Sequence, residues 1–151
     1  MYPNYSAESY VIEPPELWTS TIEDKFKHQA PRVVTLDGVK QWVVKNDRPF
    51  TVAGDIEEQV VYRDYLDASS YIEKLDGEGI AGAVLYPTIA KRAYEHLETE
   101  LLSSVVRIYN DWIIEFCSAY PNRLKAIAML NVDRPEEAVA ELERTVKAIR
   151  N

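Results

Sequence analysis

The sequence predicts an α/β fold with parallel strands, and three observations lead there. From Asp67 onward, helix-period segments alternate with short apolar segments. The short segments "IAGAVLYP" and "LKAIAMLNV" are nearly continuous apolar runs, the form taken by strands covered on both faces. A further strand-like run stands near the N-terminus. Helix and strand alternating in this way imply parallel strands joined by right-handed crossovers. The predicted order is strand, long loop with a hairpin, helix, strand, helix, strand, helix.

The first strand is "SAESYVIE", Ser6 to Glu13, read as buried and stopped by Pro14-Pro15, since proline cannot donate to a ladder. Glu8 and Tyr10 stand two apart and so point to the same face of a strand. Two polar groups sharing an interior face mark a site or the remains of one, because burying them unpaired is costly. Residues 14–66 form a long excursion. Within it "ELWTSTIEDKFKHQAP" reads as one or two short helices closed by Pro31. "RVVTLDGVKQWVV" reads as a hairpin turning at Asp37-Gly38, which supplies the positive φ angles of a tight turn; "KNDRPF" and "TVAGD" read as loops.

The first long helix is capped by Asp67, ends near Gly77 or Gly79, and carries Tyr71, Ile72 and Leu75 on one side. "LETELLSSVVRIYNDWIIEFCSAYP" is a long helix stopped before Pro121. Its stripe Leu101, Val105, Ile108, Trp112 and Phe116, widened by Leu102, Tyr109 and Ile113, faces more than one neighbour. The last helix opens with a D-x-x-E capping box at Asp133 and Glu136, and Val139, Leu142, Val146 and Ile149 form a single stripe.

The 151 residues have the length of one domain, with ordinary globular composition. No apolar run is long enough to span a bilayer and the N-terminus lacks a signal peptide's basic start, so no membrane partner and a cytoplasmic location are expected. A net charge of −8 with interspersed signs argues against nucleic acid, which needs a concentrated basic face. The single cysteine, Cys117, excludes an internal disulfide and a multi-cysteine zinc site, and reads as a buried small apolar residue.

The segments "SAESYVIEPPELW", "APRVV", "GIAGAVLYPT", "YNDWIIEFCSAYPNRLKAIAMLNV" and "PEEAVAELERTVK" resemble, in order, segments of the amidohydrolase-2 family. These are metal-dependent (β/α)8-barrel hydrolases and decarboxylases related to aminocarboxymuconate semialdehyde decarboxylase. The resemblance implies the N-terminal part of a TIM-barrel-like fold, about three βα units in a single partial domain over 1–151, with 14–66 as a long excursion after the first strand. In the family an acid or histidine, and a histidine two residues on, ligate the metal from the first strand; Glu8 matches the first position and Tyr10 stands where the histidine belongs. The remaining family ligands, histidines midway and an aspartate near the barrel's end, fall beyond the third unit. Zn or Mn is implied for complete family members, and no bound cofactor is expected in this chain, because phenol ligates only after losing a proton with a pKa near 10.

Each candidate residue has a functional and a structural reading. Glu8 is a weak ligand, an interior acid, or a hydrogen-bond partner of Tyr10. Glu13, matching the family's "EPP", lines a cleft, or only caps or pairs with a local arginine. Tyr86, Pro87 and Thr88 fall at the carboxyl end of the second parallel strand, where barrels place their chemistry, or turn the chain into the next segment. Asn110 and Asp111 interrupt an apolar helix and read as hydrogen-bonding groups. His28 and His96 lie in charged segments and read as solvated; Trp18, Trp42 and Trp112 read as packing residues, and Glu57 and Glu58 as a solvated stretch.

Two functions follow. One is a truncated or degenerate amidohydrolase-2-like protein, not catalytically competent alone. The other is a self-sufficient small α/β protein that binds a small molecule or assembles through strand edges and helix faces. A homo-oligomer is expected, with Trp112, Phe116, Val139, Leu142 and Val146 left bare by a sheet of three strands and buried in an interface of about 2,000 Å² or more.

Overall fold

The computed structural model describes residues 2–49 and 67–150. It is an α/β fold. Its centre is a parallel sheet of β1 (Asn4–Tyr10), β5 (Ile80–Tyr86) and β6 (Leu124–Ala126), in spatial order β1-β5-β6. Among the described residues four α-helices accompany it: α1 (Ala68–Gly77), α2 (Ile89–Tyr94), α3 (Thr99–Ser118) and α4 (Pro135–Arg150).

Helix α1 forms where the sequence predicts it. The Asp67 carboxylate accepts from the Ser70 backbone N–H at 2.8 Å, and Tyr71, Ile72 and Leu75 are buried. Gly79, at φ +67°, takes the left-handed turn that leads into β5. Helix α3 buries Leu101, Val105, Tyr109, Ile113 and Phe116, and its other face meets α4. Ala83, Leu85 and Leu124 supply the sheet's share of the core.

The described part of the excursion, residues 14–49, folds back onto this core. Strands β2 (Arg32–Leu36) and β3 (Val39–Val44) pair antiparallel, with Leu36 opposite Val39 across Asp37 and Gly38, both at positive φ. The short β4 (Arg48–Pro49) adds to β3. Trp18 is fully buried, donates through Nε1 to the Val105 carbonyl at 3.0 Å, and meets Trp42 edge to face at 6.1 Å. Lys25 and Lys45 pair with Glu100 and Glu98, which ties the turn at Asp24–Phe26 and the end of β3 to the start of α3. Between Trp18 and the hairpin only a 3₁₀ turn, Asp24–Phe26, is regular. "TVAGD", Glu57 and Glu58 lie outside the described residues.

Five expectations are corrected. The first strand runs Asn4–Tyr10, not Ser6 to Glu13, and is mostly exposed; among the described residues it pairs only with β5. One face of β5 is likewise only half-covered, at Val84 and Tyr86. The segment "LKAIAMLNV" is a strand only over Leu124–Ala126; beyond it, Ile127 still donates to Leu85 at 3.0 Å, and then side chains take over the backbone groups. Helix α4 begins at Pro135, with the Arg134 carbonyl accepting its first bond from Ala138, one residue later than a cap at Asp133 requires. The fifth correction concerns bare residues. Phe116 is buried and Trp112 half-buried in a ring cluster with Tyr109, whereas Val139, Leu142 and Val146 are exposed.

Candidate functional site

The carboxyl ends of β1 and β5 bring Glu8, Tyr10, Glu13, Tyr86 and Thr88 into one neighbourhood. Tyr10 is in register with Tyr86, and their rings lie 5.9 Å apart, tilted by 43°. The Tyr10 hydroxyl donates to Glu8 Oε1 at 2.6 Å, and both side chains are exposed. That bond holds the phenol proton and raises the tyrosine above its ordinary pKa. The Lys91 ammonium stands 5.9 Å from the centre of the Tyr10 ring. Beneath them β1 is irregular. Ser6 opposes Ala83 and Ser9 opposes Leu85, so three steps of β1 cover two of β5, and the two serine hydroxyls meet at 2.7 Å across the bulge.

Glu13 takes the capping role and does not line a cleft. It is fully buried, and its two carboxylate oxygens accept from the backbone N–H groups of Ile89 (2.9 Å) and Ala90 (3.0 Å). These are the first two residues of α2, whose N-cap residue Thr88 makes no side-chain cap bond. The cap therefore arrives from the loop after β1, and it ties that loop to the loop after β5. Burial pushes the Glu13 carboxyl up to about 7, against the opposite pull of the N–H groups it accepts from.

The donor set at this end does not fit a divalent metal. Of the two positions matched to family ligands, one is a phenol whose proton is committed to the other. Among the described residues, no group of three or more His, Cys, Asp or Glu side chains is placed to hold an ion. His28 is exposed, whereas His96, expected to be solvated, is half-buried at the end of α2. Burial pushes the Cys117 thiol up to about 12, which leaves it without thiolate character. No helix among the described residues is long and apolar enough to cross a membrane.

A second polar cluster joins α3 to α4, and only part of it was legible in the sequence. Asn110 is buried; its Nδ2 donates to the Met129 carbonyl (2.9 Å) and Glu141 (2.8 Å), and its Oδ1 accepts from the Met129 N–H (2.8 Å). It thus serves the backbone where β6 stops pairing. Asn131 does similar work, donating to the Thr99 carbonyl and to Ser103, both at 2.9 Å. Arg144 bridges Asp111 and Glu141. Arg123 donates to the carbonyls of Ile80 and Ala81 and pairs with Asp76, fastening the start of β5. The polarity of Asn110 and Asp111 within an apolar helix signalled the cluster; nothing local marks Asn131, Arg123 or Glu141. Every one of these groups holds backbone or another side chain.

No protein-family model and no curated protein sequence matches the chain. Solved structures do match its fold. An amidohydrolase from Mycobacterium avium subsp. paratuberculosis K-10 superimposes with a TM-score of 0.77 and 16% identity, over 97% of this chain and 47% of that one. A 2,6-dihydroxybenzoate decarboxylase complexed with 2,6-dihydroxybenzoate gives 0.60 and 20% identity, over 98% of this chain and 36% of that one. The 2,6-dihydroxybenzoate decarboxylase from Rhizobium gives 0.55 and 18%, over 99% and 36%. The chain therefore spans less than half the length of the solved proteins it matches, and its architecture is a partial amidohydrolase-like fold.

Proposed function

We propose that this chain is the N-terminal portion of an amidohydrolase-type (β/α)8 barrel, about three of the eight βα units, and that it does not catalyse a reaction alone. The observation that carries this reading is the asymmetry of coverage: nearly the whole chain superimposes on less than half of a solved amidohydrolase. The sheet agrees, because its outer strands β1 and β6 each pair on one side only among the described residues, as consecutive strands of a longer sheet would. The Glu8–Tyr10 hydrogen bond occupies the position where such a barrel would begin its metal site. The whole enzyme's chemistry, hydrolysis or decarboxylation of a small carboxylate, would require ligands and substrate contacts from further units.

Two experiments test this. Sequencing past the codon for Asn151 should reveal, in frame or in a neighbouring reading frame, further βα units bearing histidine and aspartate at strand ends. Purified chain should leave dihydroxybenzoates and simple lactones unchanged with Zn²⁺ or Mn²⁺ present; turnover by the chain alone, abolished by Glu8→Ala, contradicts the proposal. A second reading, a small self-sufficient assembly protein, is favoured by one observation, the exposed apolar stripe of α4.

A further inference from the structure

We draw no further inference here: the strongest candidate, the exposed apolar stripe of Val139, Leu142, Val146 and Ile149 on the side of α4 away from α3, carries nothing because nothing in the structure shows what covers it.

Discussion

Glu13 is the residue on which the junction of β1 and α2 depends. A carboxyl in this setting feels two opposed effects, loss of water and the two N–H groups of Ile89 and Ala90, and loss of water dominates. Its folded pKa of about 7 lies above the ordinary 4.5, so the stability it contributes is complete below pH 4.5 and is lost as pH rises through 7. The span of that loss is about 3 kcal/mol. Urea unfolding across this range should show wild type losing stability relative to Glu13→Gln as pH rises, since glutamine does not titrate. Parallel curves for the two proteins would show that Glu13 does not titrate within this window. Glycines give a second prediction at this scale. A Cβ on Gly82 would lie 2.6 Å from the Arg123 carbonyl oxygen, whereas one on Gly77 meets nothing within 4 Å. Gly82→Ala should destabilise by about 1–3 kcal/mol through backbone displacement, and Gly77→Ala, in the last turn of α1, should be neutral or stabilising by up to about 1 kcal/mol; thermal unfolding of both variants checks the contrast. The sequence made Glu13 a candidate through its place in "EPP", yet its partners stand 76 and 77 residues away, and no local pattern names them.

Elements whose signals are local formed as the sequence predicts. Helix α1 begins where an aspartate can accept from the third N–H onward, and the β2–β3 hairpin turns where Asp37 and Gly38 can take positive φ. Asp67→Ala should therefore lower stability by about 1 kcal/mol, read as a shifted urea midpoint with an unchanged slope, because it removes the bonds to Ser70. Elements whose signals depend on distant partners were misread. The apolar run from Leu124 predicts a long strand, but a strand persists only while a neighbour pairs with it; past Ala126 the Met129 backbone is held by Asn110 instead. The stripe of α4 was read correctly as a stripe. Which way it faces is decided by the polar bonds of Ser103, Asn110 and Asp111, which periodicity does not report.

At the scale of the whole molecule, the parallel strands, helices and folded-back hairpin among the described residues build a core around Trp18, Leu85, Val105, Tyr109 and Leu124, and nearly the whole chain superimposes on less than half of a solved amidohydrolase. The fold was legible because alternation of helix and strand is written along the chain and the segment order resembles a known family. Of the site, Glu8 and Tyr10 were legible as same-face neighbours and as hydrogen-bond partners, and the bulge of β1 beneath them was not. A barrel's metal chemistry needs ligands converging from several strands, and here the Tyr10 hydroxyl donates to Glu8. The most direct measurement is therefore metal content, by inductively coupled plasma mass spectrometry, of wild type and Tyr10→His after loading with Zn²⁺ or Mn²⁺ and dialysis against a chelator. Both proteins should retain far less than one ion per chain, since a histidine at position 10 still lacks its distant partners. One ion per chain in wild type, lost in Glu8→Ala, would contradict an incomplete site.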